Sequence, residues 1–135
     1  MTSRTEIRVR YAETDQMGVA HHSAYVPWLE LARVDWLKEA GLDYAEIERG
    51  GVFFPVVELY LRYRRPAHFD EVLAIEARLS ELGSRRFVMS YRVFRENQLV
   101  AEARTTHVPQ DAQGRARRLP DGIYEVLSRA VSNET

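Results

Sequence analysis

Cysteine is absent from all 135 residues, which excludes a disulfide framework, a thiolate nucleophile and any cysteine-ligated zinc site. Long hydrophobic runs are absent too. The longest unbroken one is Val72-Leu73-Ala74-Ile75, far short of the ~18–20 residues that cross a bilayer. Met1-Thr2-Ser3-Arg4 leads into no signal-peptide core, so a cytoplasmic location with no membrane partner is expected. Neither sign of charge dominates: 19 Lys and Arg stand against 20 Asp and Glu, a formal net charge of −1. No global basic field then draws nucleic acid or anionic lipid, no nucleic-acid partner is expected, and any phosphate-binding patch must be local. There is no linker, repeat or low-complexity stretch, and the 45% apolar and 29% charged fractions are ordinary globular values. One domain spanning 1–135 is expected, since domains cluster near ~100–150 residues. Its chemistry must rest on carboxylate, imidazole, hydroxyl or backbone groups.

The pattern along the chain begins with a period of two. Ile7, Val9 and Tyr11 alternate with Arg8 and Arg10, predicting a half-buried strand from about Glu6 to Glu13. Thr14 to Ser23 has no periodicity and reads as a loop. From Ala24 to Ala40, Tyr25, Trp28, Leu29, Ala32, Trp36 and Ala40 recur at helical spacing, with Ser23 placed to cap the start and Gly41 just past the end. Pro27 falls in the first turn, where no intrahelical bond is lost. Leu31, Val34 and Leu37 lie off the main stripe, so this helix needs more cover than a surface helix does.

Asp43 opens a short helix that ends at Gly50-Gly51. Thereafter the period returns to two. Val57, Leu59, Leu61 and Tyr63 mark one strand, Leu73, Ile75, Ala77 and Leu79 the next, then Phe87, Met89, Tyr91 and Val93, and a last strand from about Leu99 to Val108. Reversals at Gly83-Ser84 and Asn97-Gln98 make the last three an antiparallel meander. A closing helix from Asp121 carries Ile123, Val126, Leu127, Ala130 and Val131 on one stripe. The economical arrangement is an α+β fold, a five-stranded antiparallel sheet wrapped around one long central helix. Its two open edges favour a homodimer or a dimer of dimers.

The segment from Tyr11 to Tyr25 carries the chemistry. It sets Asp15 and Gly18 in a loop that ends at the start of the long helix, where backbone N–H groups lack intrahelical acceptors and the helix dipole favours negative charge. Such donors, aimed at a carbonyl oxygen, are each worth roughly 3–4 kcal/mol in acyl transfer. Asp15 can attack the carbonyl carbon directly or take a proton from water. A thioester suits so modest an apparatus, because its thiolate leaves without a protein acid.

The run Tyr11-x-x-Thr14-Asp15-x-x-Gly18, followed by His22-x-x-Tyr25-x-x-Trp28-x-Glu30-x-x-Arg33-x-x-Trp36-Leu37, resembles the signature of the hotdog-fold acyl-CoA thioesterases. It is most similar to their 4-hydroxybenzoyl-CoA thioesterase and YbgC-like branch. Tyr63-Arg64-Arg65-Pro66-Ala67-His68-Phe69-Asp70 is similar to that branch's strand-exit motif. The resemblance implies a hotdog fold, acyl-CoA as substrate, no cofactor beyond the coenzyme A that the substrate itself carries, and active sites at a dimer interface. It further implies that Asp15 is the catalytic carboxylate, that the His22 N–H binds the thioester oxygen, that Gly18 lets the loop turn back, and that Tyr25 packs beside the acyl group. His21 replaces the aromatic residue usual before the histidine, which bears on the acyl pocket. Coenzyme A carries phosphates, and Arg64, Arg65, Arg85 and Arg86, near strand ends, are the candidates to meet them.

Other readings compete. Adjacent His21-His22 with Asp15 and His68 invites a metal, but neighbouring histidines rarely point the same way and the His-x-x-x-His spacing is missing, so no metal is expected. The His22 imidazole either helps cap the helix or touches substrate. Glu30 and Arg33 read as a helix pair, Trp28 and Trp36 as core, and His107 as structural. A non-catalytic acyl-CoA or acyl-carrier binding module is the main alternative to a thioesterase, although such a binder has no use for an anion beside the carbonyl. A hotdog dehydratase needs a facing His and acid that nothing here fixes.

Overall fold

The computed structural model describes residues 1–132; residues 133–135, the end of the expected domain, lie outside the described residues. The elements are β1 (Thr2–Arg8), α1 (Tyr25–Glu39), α2 (Tyr44–Arg49), β2 (Val56–Tyr63), β3 (Val72–Leu82), β4 (Phe87–Arg95), β5 (Gln98–His107) and α3 (Asp121–Ser132). The five strands form one antiparallel sheet in the order β1-β3-β4-β5-β2. β3, β4 and β5 are the expected meander, and β1 and β2 are its edges. The chain between those edges crosses the sheet, which lays α1 on one face.

Alternation decides which residues meet that helix. Leu73, Ile75, Ala77 and Leu79 of β3 and Phe87, Met89, Tyr91 and Val93 of β4 are buried with Trp28, Leu29, Ala32 and Trp36 of α1 in one core. Tyr91 stands in register between Ala77 and Ala103, so two small residues make room for one large one. Leu127 and Ala130 of α3 join the same core. The amino terminus is tied in by Met1, whose N–H donates to the Ala130 carbonyl (3.0 Å) and whose carbonyl accepts from the Trp36 indole (3.0 Å).

Several local expectations are corrected. The first strand runs over Thr2–Arg8 and stops before Tyr11–Glu13, which form a 3₁₀ turn. The Glu13 carboxylate accepts the Arg10 N–H (2.8 Å) and folds the chain back there. At the other end Ser3 and Thr5 face inward despite being polar, and the Thr5 hydroxyl donates to Asp35 (2.7 Å). The last reversal falls on Glu96-Asn97, with Gln98 already in β5 and Glu96 at φ 55°.

Arg33 does not pair with Glu30 but turns into the core, where it begins a chain of hydrogen bonds. Its N–H reaches the Tyr91 oxygen at 3.2 Å, Tyr91 meets Thr105 Oγ1 at 2.7 Å, Thr105 meets His107 Nε2 at 2.8 Å, and His107 Nδ1 meets the Phe54 carbonyl at 3.0 Å. A carbonyl can only accept, so Nδ1 carries the proton and Nε2 accepts from Thr105. The directions then run one way from Arg33 to Phe54, with a neutral imidazole. His107 is structural, as expected.

Coverage of the sheet is uneven. α1 lies over β1 and β3, and the inward side chains Leu59 and Tyr63 of β2 are close to half exposed. Leu31, expected to be wrapped, is 46% exposed. Within one chain the wrap is therefore incomplete on the β2 side. No described helix is long and apolar enough to cross a membrane.

Burial, followed by the Arg33 charge, pushes the His107 pKa down from 6.5 to about 4. The unfolded chain binds this proton first, so stability from this group is complete above about pH 6.5 and is lost as pH falls toward 4. At full extent the difference is worth about 3 kcal/mol. Urea unfolding of the protein and of His107→Gln, run from pH 7 to 4.5, tests it: the gap between the two should narrow as pH falls. A gap independent of pH would contradict the buried neutral imidazole.

Candidate active site

Asp15 sits in a tight reversal between β1 and α1. Thr14 and Ala20 pair across it, the Asp15 N–H donates to Val19 O (2.9 Å), and the Gly18 N–H donates to Asp15 O (3.0 Å). Gly18 takes φ +75°, with open space where a Cβ would stand, so glycine is required here for its backbone conformation. Asp15 Oδ1 accepts from the Met17 N–H (2.8 Å) and the Val19 N–H (3.2 Å). That fixes the carboxylate and leaves Oδ2 without a hydrogen bond among the described residues.

The start of α1 is built differently from the expectation. Ser23 is no cap. His21 Nδ1 accepts the Ser23 N–H (3.2 Å) and lies 2.8 Å from the Ser23 hydroxyl, and a 3₁₀ turn over His22–Ala24 runs straight into the helix. Three of the four amides here have acceptors: His21 N–H meets Glu13 O (2.7 Å), Ser23 N–H meets the His21 ring, and Ala24 N–H meets His21 O (2.9 Å). Only the His22 N–H has no acceptor among the described residues.

Asp15 and His22 both line one cleft of about 410 Å³. Its walls add Val19, Ala20, Tyr25 and Tyr63 and the Arg64–Ala67 stretch after β2. Tyr25 is buried, edge-on to Tyr63 with ring centroids 5.2 Å apart. Its phenol is pushed up to about 12, first by burial and then by Tyr63, against the pull of Arg95. It therefore stays a neutral wall at working pH. Beneath the cleft, Arg95 donates to Pro66 O (2.9 Å) and to Glu71 (3.0 Å), and Glu71 also accepts the His68 N–H (2.7 Å). Burial acts to raise the Glu71 pKa, but the His68 amide and Arg95 outweigh it and hold it below the ordinary value.

Of the expected residues, Asp15, His22, Tyr25, Arg64 and Arg65 come together, with Gly18 shaping the loop. Arg64 is bound to Glu102 through two N–H groups (2.9 and 2.7 Å), whereas among the described residues the Arg65 side chain meets only the Leu99 carbonyl (2.6 Å) and has no ion pair. Arg85 and Arg86 line no part of this cleft in one chain. They stand beyond the far end of the eleven-residue β3, which at ~3.3 Å per residue is about 35 Å long, and Arg86 pairs with Glu81 (3.1 Å). No group of three described His, Asp or Glu residues could hold a metal.

Glu13 escapes the sequence reading. It is buried and ties the loop to α1 by accepting the Trp28 indole N–H (2.9 Å) as well as the Arg10 amide. The only hint is its i, i+3 spacing from Arg10.

Residues 9–127 match the thioesterase-like superfamily. The chain is 33% identical over 122 residues, 85% of its own length and 82% of the relative's, to a 1,4-dihydroxy-2-naphthoyl-CoA hydrolase of Synechococcus sp. strain CC9605. Its structure superposes on a DHNA-CoA thioesterase of Staphylococcus aureus with a TM-score of 0.93 at 31% identity, covering 98% of this chain and 94% of that one. It superposes on the Thermus thermophilus protein TT1821 with a TM-score of 0.91 at 55% identity, covering 96% and 98%.

Proposed function

The chain belongs to the thioesterase-like superfamily and has its hotdog fold, and from that membership we propose that it hydrolyses an acyl-CoA thioester to a free acid and coenzyme A. The observation that carries this reading is that His22, whose amide has no acceptor among the described residues, lines the same cleft as Asp15, whose Oδ2 has no hydrogen bond among them. The carbonyl oxygen would sit on the His22 N–H, where the helix end also favours the charge that collects in the transition state. Asp15 Oδ2 either takes a proton from water as that water adds to the acyl carbon, or attacks the carbon itself to give an anhydride that water opens. The C–S bond breaks, and the coenzyme A thiolate leaves without a protein acid. The reaction requires no cofactor. Arg65, with no ion pair among the described residues, is the strongest candidate to meet the coenzyme A phosphates.

The Tyr25 and Tyr63 walls, and relatives named for 1,4-dihydroxy-2-naphthoyl-CoA, favour an aryl acyl group. A panel of 4-hydroxybenzoyl-, 1,4-dihydroxy-2-naphthoyl-, acetyl- and long-chain acyl-CoA decides between one ring, as in the branch the motifs resemble, and two. On the preferred substrate, Asp15→Asn should lower kcat by ~10²–10⁴-fold, the range of a lost general base. The amide can be removed by proline. His21 already holds φ −69° and ψ 144°, the conformation a residue before proline adopts, and proline is tolerated in a first helical turn. His22→Pro should therefore fold and lose ~10²–10³-fold in kcat, while His22→Ala, which keeps the amide, should lose far less. Full turnover by Asp15→Asn would remove Asp15 from the mechanism, and intact acyl-CoA bound with no thiol released by the native protein would overturn the thioesterase reading in favour of a binding module.

The half-covered β2 edge supports a homodimer, or a pair of them, in which a second chain covers Leu59 and completes the cleft wall begun by Tyr63. In sedimentation the protein should run as a dimer or tetramer. Leu59→Asp should shift it to a monomer with hydrolysis lost, and a fully active native monomer would contradict this assembly.

A further inference from the structure

The outward face of the sheet, turned away from α1, carries an unbalanced charge pattern. Arg4, Glu76, Arg92, Glu102 and Arg62 stand in register across the five strands, a row of alternating sign. Both carboxylates of that row are taken. Glu76 holds Arg92 at 3.0 Å and Arg4 at 3.8 Å, and Glu102 holds Arg64. Arg62 is left with no ion pair among the described residues. The next row reads Arg78, Ser90, Arg104 and Tyr60, and it holds no acid at all. Arg62, Arg78 and Arg104, none of them in an ion pair among the described residues, thus face one depression of about 780 Å³, whose rim also carries Glu81, held by Arg86 at 3.1 Å.

The serine hydroxyls nearby are already committed. Ser90 donates to Ser80 (2.7 Å), and Ser80 donates to the Val88 carbonyl (3.1 Å), so recognition falls to the arginines. Arg78 and Arg104 lie on β3 and β5 with β4 between them, two strand spacings or ~10 Å apart at the backbone. That span matches linked phosphates better than a single one. Arg104 lies over the Tyr60 ring, 4.6 Å from its centroid, which covers the platform a base would stack on. With a net charge of −1 on the whole chain, this local excess is not a by-product of a basic protein.

We infer that this depression binds a di- or triphosphate group, read through its phosphates and not through any base attached to them. The group can belong to a free polyphosphate or to coenzyme A reaching around the β2 edge, since Arg64 borders both this depression and the acyl cleft. The inference does not depend on hydrolysis, because binding is read directly.

Calorimetric titration with inorganic pyrophosphate tests it. Saturable binding is expected, weakening as salt is raised and falling about tenfold or more in Arg78→Ala/Arg104→Ala and in the single Arg62→Ala, with thermal unfolding showing that the exposed substitutions leave the fold intact. ATP should bind through the same residues. If pyrophosphate still binds at saturating coenzyme A and the variants leave the KM for acyl-CoA unchanged, the ligand is a separate polyphosphate. If coenzyme A displaces it and KM rises in the variants, the ligand is coenzyme A itself. Either result supports the site. Absence of binding, binding untouched by the double variant, or loss of binding in Arg65→Ala alone would overturn it. A changed sedimentation mass in the double variant would also overturn it, by making this face a contact between chains.

Discussion

Glu13 decides where the loop over the cleft stands. Its two carboxylate oxygens accept from the Arg10 amide and the Trp28 indole, and its carbonyl accepts from the His21 amide. One buried residue therefore joins the end of the first strand, the start of the long helix and the turn between them. A carboxylate out of water is costly unless its hydrogen bonds are made, so the position that satisfies Glu13 is strongly preferred. With His21 held by Glu13, its ring is placed to receive the Ser23 amide. The next donor along, His22 N–H, is the one without an acceptor. The free amide is a consequence of how its neighbours are satisfied.

The second constraint is the unequal cover of the sheet. β1 enters at one edge and β2 at the other, and a single helix over β1 and β3 meets the inward face of β2 at Tyr25 and Tyr63 but leaves Leu59 uncovered. Apolar side chains therefore face solvent on the strand that supplies Tyr63 to the cleft. The same geometry separates the two faces of the sheet chemically. The inner face is an apolar core crossed by one polar chain from Arg33 to Phe54, and the outer is a lattice of arginines and glutamates in which the arginines outnumber their partners.

Periodicity in the sequence reports which way side chains point, and on that it served well. The long helix, the meander, the closing helix and the Asp43 cap, which accepts from Ala45 and Glu46, lie where the pattern places them. Periodicity does not report whether the face pointed to is covered. That is why β2 reads like the other strands and Leu31 as wrapped. Inward polar residues are invisible to it as well: Ser3 and Thr5 extend β1 toward the terminus, and Arg33 looks like half of a surface pair until Tyr91 is seen beneath it. Of the candidate site, Asp15 and the His22 amide could be inferred from a loop meeting a helix start and from the family resemblance. Glu13 could not, because its partner Trp28 is fifteen residues away and only the fold brings them together.

The claim on which the functional account rests is that the His22 amide polarises the thioester carbonyl, and vibrational spectroscopy reads that directly. Isotope-edited infrared difference spectra of a carbonyl-13C aryl acyl-CoA, bound to Asp15→Asn so that turnover is blocked, should show the carbonyl stretch below its frequency in water. In Asp15→Asn/His22→Pro the stretch should return toward the solution value with the ligand still bound. A bound carbonyl at its solution frequency, or a lowered one indifferent to His22→Pro, would contradict the account.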